Sequence, residues 1–421
     1  MSRPAIIVVY DRGAASGSDI ALGIGELADV VFAVAGSSHV AGVRGMLGHL
    51  GRVVDLTGDT GTDAAVLRAH APSAILTFSE PMLVTTSRLA EALGLPFHDS
   101  ATVRLLTDKA AQRARLREAG ADDTACVPLR RAGDWSRAVA EAGLPAIVKP
   151  VHGQGSRHTY AVHDAAEGRA LVTRLLSVPD PPELVVEELL GGRDTGMVGD
   201  YVSVESATGP AGTTHLAVTG KFPLTPPFRE SGQFWPALLD PADRAAVLDL
   251  TTRAVQALGV RVGLTHTEIK LTGRGPRIIE VNGRLGGHVH ELARRACGAN
   301  LVRLAARLAL AKPSAVDELV PSGSVHFQRH GLAPTLAGTF LGVHGAAEVR
   351  AMPGVSGYRG FTRVGERLPG GVTTNELDIL WGACPDHHTM MRLVEAAAGR
   401  LRYEFDFGGT VRVLSGAELL R

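Results

Sequence analysis

The sequence predicts an α/β protein of several domains: a parallel-sheet domain in front, a two-part α/β module behind it, and a small α+β domain at the end. Three observations carry this. The first hundred residues alternate short apolar runs with Ala/Leu-rich helical stretches, the pattern of βαβ units. After residue 146 strands return on themselves through Gly-rich turns, the pattern of antiparallel pairing. The chain has 421 residues, 45% of them hydrophobic, which is enough for two to four domains with ample core.

The 43 basic residues balance 43 acidic ones, so no nucleic acid and no anionic membrane is expected as a partner. No apolar run approaches the ~18 residues of a membrane span. The first apolar stretch, 5–10, is too short for a signal peptide and stops at Asp11. Cys126, Cys297 and Cys384 are few, odd in number and far apart, which indicates neither a disulfide framework nor a cysteine zinc site. A cytoplasmic protein is the expectation. Only five of the 43 basic residues are lysines: Lys109, Lys149, Lys221, Lys270 and Lys312. In a chain that otherwise uses arginine, each is a candidate for a place that needs a compact ammonium.

In chain order, β-type runs at 5–10, 30–35, 52–56 and 74–78 are followed by helical segments such as 64–70 and 87–93. Residues 101–120 read as one helix with Lys109 in it. A strand at 146–149, a loop at 152–158 and a returning strand at 159–162 come next, then a helix at 165–176. Strands at 184–190, 201–206 and 215–221 and a helix at 242–258 lead to a hairpin at 265–282 and a helix at about 288–310. The tail mixes strands at 324–328, 361–367 and 377–380 with a helix at 386–400. The expected domains are 1–100, 101–182, 183–312 and 313–421.

The hairpin is the most informative stretch. Two alternating runs flank Thr272-Gly-Arg-Gly-Pro276, and a turn centred on Arg274 makes antiparallel partners sum to 548. Glu268 then faces Glu280, and His266 faces Asn282. Like charges directly opposite are unfavourable unless something positive lies between them. Two carboxylates and an amide oxygen are hard ligands suited to Mg²⁺ that bridges phosphates. Spacing alone is met equally by a solvated face on which the glutamates pair with Lys270 and Arg277. The nearby His288-Val-His290-Glu291 is a poor zinc motif, because histidines two apart diverge on a helix.

Lys149 ends an apolar strand, where an ammonium is costly unless it meets an anion or snorkels to water. The following Gly153, Gly155 and Ser156 can turn backbone N–H groups towards phosphate oxygens. This is not a Walker A loop, since the lysine precedes the glycines.

In this order the elements from Lys109 to Leu310 resemble an ATP-grasp ligase with a Rossmann-like domain in front. The resemblance implies ATP and Mg²⁺ as cofactors, with Mn²⁺ as an alternative ion. It implies that Lys109, Lys149, Gly155, Ser156 and Lys221 serve the phosphates. Glu187, Glu188, Leu189 and Leu190 would receive ribose and adenine. Glu268, Glu280 and Asn282 would be the metal ligands, and Arg284 would steady the transferring phosphate. Pro226-Pro-Phe-Arg-Glu230-Ser-Gly-Gln233 and Asn282-Gly-Arg-Leu-Gly-Gly287 are similar to segments of bacterial L-amino-acid ligases of the dipeptide-forming type. That branch implies amino-acid substrates met by Glu230, Gln233, Gly286 and Gly287, and it allows a homodimer. Gln233 stands where histidine is usual. The implied activity is ADP-forming amide synthesis through an acyl phosphate, giving a dipeptide or a γ-glutamyl amide. The alternatives are a carboxylase or purine-pathway enzyme, or an ATP-binding protein without turnover. No Met-Lys pair occurs, which leaves no biotin-carrier segment. His152, His158 and His266 are candidates for the base that frees the incoming amine.

Overall fold

A computed structural model describes residues 3–153, 155–312 and 317–420. Strands Ala5–Tyr10, Asp29–Val34, Arg52–Asp55 and Pro72–Leu76 make an all-parallel sheet with the first strand between the second and the fourth. The first strand is buried along its whole length. Ile6 and Val8 pack with Ile20, Ile24 and Leu47, while Ile7 and Val9 pack with Leu67 and Leu89. Both faces are therefore covered, which explains why these strands read as continuous apolar runs.

A second sheet joins Cys126–Leu129, Leu184–Glu188, Ala146–Pro150 and Tyr160–Val162 in that order, all antiparallel. Helices Trp135–Ala142 and Ala165–Leu176 close its core around Trp135. Gly168 is required there, because a Cβ would lie 2.0 Å from the Trp135 ring.

The central sheet has eight strands and begins at the hairpin, Gly275–Asn282 beside Gly263–Thr272. Tyr201–Gly209, Gly212–Lys221 and Gly232–Trp235 follow, and then Val325–Leu332, Glu376–Cys384 and Val355–Gly360. The last three come from the C-terminal segment, so one sheet runs across residue 313. A further four-stranded sheet and the helix His387–Arg400 complete that segment. Among the described residues, no helix is long and apolar enough to cross a membrane.

Three elements differ from expectation. The 101–120 helix is two, Ser100–Thr107 and Lys109–Glu118, because the Asp108 side chain caps the second by accepting from Ala111 N. Lys109 thus opens a helix, and its backbone N–H donates to Val151 O at 3.2 Å. The 288–310 helix is also two, Val289–Cys297 and Leu301–Ala309, split by Gly298 at φ 71° and by the Asn300 cap. The 361–367 run is mostly a turn around Gly365 (φ 85°), and the strand is Val355–Gly360 just before it.

One buried arginine ties these layers together. Arg113 reaches from the helix Lys109–Glu118 to Glu187, with Nε and Nη2 each 3.1 Å from a carboxylate oxygen. Its Nη1 and Nη2 also donate to Ile278 O and Ile279 O of the hairpin at 2.6 and 2.8 Å. Removing it leaves buried carbonyls and a carboxylate short of donors. Arg113→Met is expected to lower stability by about 3–5 kcal/mol in urea unfolding. A midpoint equal to that of the wild type would show that the two sheets are joined by other means.

Candidate active site

The hairpin register is the one its spacing predicts: Glu268 pairs with Glu280 and His266 with Asn282. A bulge follows Glu268, so Lys270 pairs with Arg277 and the tight turn is Gly273-Arg274. The charge pairs of a solvated face do not form. Lys270 instead meets Asp200 at 2.6 Å, and Arg277 meets Asp122 at 3.2 Å. Glu280 receives Lys109 Nζ at 2.9 Å, and Glu268 lies 3.4 Å from His266 Nε2. Arg284 Nη2 donates to Asn282 Oδ1 at 3.3 Å, and its Nε lies 3.0 Å from Glu80 of the N-terminal sheet domain. The hard-donor set Glu268, Glu280 and Asn282 thus stands on one face, flanked by Lys109 and Arg284. Opposed carboxylates with an amide oxygen beside them suit Mg²⁺.

Lys109 also donates to Gly153 O at 2.9 Å, which brings the glycine loop to the hairpin. Ser156 Oγ donates to Phe228 O at 2.7 Å, and Thr374 N donates to Gly155 O at 3.1 Å. That loop therefore lies against the segment that carries Glu230. Glu230 Oε2 is 3.6 Å from Lys221 Nζ, and the same ammonium donates to Gln233 Oε1 at 3.3 Å. Gln233 Nε2 donates to Gly287 O at 2.9 Å. Lys221, Glu230, Gln233 and the Gly286–Gly287 turn therefore form one connected wall. Lys149 sits apart from Lys109 in its bonding, paired with buried Glu187 at 2.7 Å. Glu187 is also held by Arg113, whereas the carboxylate of Glu188, the last residue of its strand, meets Arg274 at 3.4 Å. Leu189 and Leu190 continue from it outside the strand.

The L-amino acid ligase of Bacillus licheniformis superposes with a TM-score of 0.77 at 22% identity, covering 96% of this chain and 99% of that one. The chain has the ATP-grasp fold. Among curated proteins, carnosine synthase 1 of Mus musculus is 28% identical over 229 residues, 50% of this chain and 27% of that protein. Alanine–anticapsin ligase of Bacillus subtilis is 26% identical over 233 residues, 52% of this chain and 49% of that protein. The chain thus spans half or less of the length of these two curated relatives. No protein-family model matches it.

Around the hairpin face two charged residues, Glu80 and Glu205, escaped the sequence. Glu80 follows the last strand of the front sheet, and only tertiary packing brings it to Arg284. Burial raises its pKa, against the pull of Arg284 and Lys109. Glu205 had a legible signal. On Tyr201–Gly209 it alternates with buried valines, and the strand pairing sets it opposite His266. Glu205 holds His266 Nδ1 through a short hydrogen bond and accepts from Gly286 N at 3.3 Å. Burial alone would depress the His266 pKa, but the Glu205 carboxylate raises it to about 9, with Glu268 adding to the effect. His266 is therefore an imidazolium at neutral pH and not the base that the sequence offered. It holds Glu268 well below the ordinary carboxylate range against the cost of burial.

Because the folded pKa lies above the unfolded one, the His266 contribution to stability is full below about pH 6.5 and fades as pH rises through about 9. In Glu205→Gln the ring should titrate nearer neutrality, as read from its imidazole proton resonances. A titration unchanged from the wild type would mean that Glu205 does not set the charge.

Proposed function

We propose that this chain is an ATP-dependent, ADP-forming carboxylate–amine ligase that joins two amino acids. The supporting observation is the single face of Glu268, Glu280, Asn282, Lys109 and Arg284, next to the wall of Lys221, Glu230, Gln233 and Gly287. Carboxylates flanked by cations, beside a polar wall that carries both charges, are what such a reaction needs. The likeness to alanine–anticapsin ligase and carnosine synthase supports this reading over carboxylases and purine-pathway enzymes. The division into 1–100, 101–182, 183–312 and 313–421 assigns the nucleotide to the two middle parts.

A carboxylate is a poor electrophile. In the proposed reaction its oxygen attacks the γ-phosphorus of ATP, and the bond from that phosphorus to the β,γ-bridging oxygen breaks to release ADP. The amine of the second amino acid then attacks the acyl carbon, phosphate leaves, and an amide remains after loss of a proton. Lys109, Lys149 and Arg284 offset the charge on the transferred group, while Gly155 and Ser156 close over it. Glu188, Leu189 and Leu190 receive the ribose and adenine, and buried Glu187 orients Lys149. Glu268, Glu280 and Asn282 would hold Mg²⁺, which would supply further charge neutralisation. His266 and Glu205 hold Glu268 ionised and fix the Gly286 N–H. Glu230 faces a substrate ammonium, and the Gly287 N–H, just before the helix Val289–Cys297, faces a carboxylate, while Gly286 N–H is held by Glu205.

With ATP, Mg²⁺ and a panel of amino acids, ADP and phosphate should appear only with a competent pair, alongside a product of the summed mass less water. AMP and pyrophosphate would overturn the acyl-phosphate route. Glu280→Ala should abolish turnover. Arg284→Lys should cost about 10²-fold or more in kcat, since an ammonium lacks the planar fork.

A further inference from the structure

Outside the hairpin, His288, His330 and Glu376 come together with one ligand atom each, all within 4.8 Å of one another. They arrive from three separate places: the residue before the helix Val289–Cys297, the strand Val325–Leu332, and the first residue of Glu376–Cys384. His288 Nε2 lies 3.1 Å from Glu376 Oε2, and His330 Nδ1 lies 2.8 Å from Glu376 Oε1. The rings meet edge to face with centroids 4.9 Å apart. His330 is 6% exposed, and neither of its ring nitrogens makes a hydrogen bond among the described residues. Burying an imidazole nitrogen such as His330 Nε2 without a hydrogen-bond partner costs free energy. Nδ1 lies beside the Glu376 carboxylate, and Nε2 faces no acceptor or donor among the described residues.

We propose that His288, His330 and Glu376 bind a divalent metal ion of borderline softness, of which Zn²⁺ is the type. Two imidazole nitrogens and a carboxylate suit such an ion, whereas Mg²⁺ prefers the all-oxygen hairpin set. Tetrahedral ligand atoms around Zn²⁺ stand about 3.3 Å apart, and the three ligand atoms here lie within 4.8 Å of one another. Behind the His288 ring, Glu291 Oε1 lies 3.8 Å from Nδ1, which directs the other nitrogen inward to the ion. Three protein ligands leave a fourth position for water or a substrate group. The site adjoins the amino-acid wall, since His288 follows Gly287 and His330 N donates to Ser231 O at 2.9 Å. The proposal stands whether or not the ligase reading does.

The full chain, stripped with a chelator, is dialysed to equilibrium against low micromolar Zn²⁺ with excess Mg²⁺, and its metal content is measured by mass spectrometry. About one zinc per chain is expected in the wild type and in His290→Ala, whose ring is outside the cluster. Glu280→Gln, which alters only the hairpin set, should keep that zinc. His330→Ala and Glu376→Gln should lose it. Co²⁺ bound to the wild type should give the visible bands of a four-coordinate imidazole site, a reading independent of whether the variants fold. A wild type that retains no zinc, wild-type Co²⁺ without those bands, or His330→Ala with undiminished zinc would each overturn the site.

Discussion

Two carboxylates face each other across adjacent strands, and much of the surrounding structure offsets that repulsion. Glu268 and Glu280 are partly buried, so water screens them poorly. Their compensation comes from distant parts of the chain. Lys109 arrives at the head of a helix about 170 residues before Glu280, and His266 is kept charged by Glu205 on the neighbouring strand. Each cation is itself tied elsewhere, Lys109 to Gly153 O and His266 to Glu205. The like-charge pair is therefore linked to the glycine loop and to the Gly286 turn through charge.

A second layer of buried charge gives the site its rigidity. Arg113 joins Glu187 to the hairpin backbone, and Glu187 in turn holds Lys149. Its carboxyl is drawn down to about 2 by Arg113 and Lys149 against the burial that would raise it. Buried ions of this kind contribute less net stability than their contact distances suggest, because desolvation is expensive. Here they fix where Lys149 and the hairpin stand relative to each other, and the proposed phosphoryl transfer depends on that placement.

Much of this was legible locally. The alternation of apolar residues placed the front sheet, and the hairpin turn set the Glu268–Glu280 register without knowledge of any other strand. Helix breaks at Asp108 and Gly298 were harder, since capping and a positive φ override an otherwise helical run. His288 shows the limit most clearly. Its local motif is a poor metal site, yet strands about 40 and about 90 residues later bring His330 and Glu376 to its ring.

By itself the sequence determined the class of sheet, the strand pairing within the hairpin and the short list of lysines from which Lys109, Lys149 and Lys221 come. Side-chain period and turn chemistry act over a few residues, so one dimension is enough to read them. Only the tertiary structure decided which charges meet. It gave Lys109 to Glu280, Lys270 to Asp200 and Glu80 to Arg284, and it made His266 a cation and not a base. Electrostatic partners and the desolvation that sets a pKa are properties of three-dimensional neighbourhood, which sequence separation does not encode.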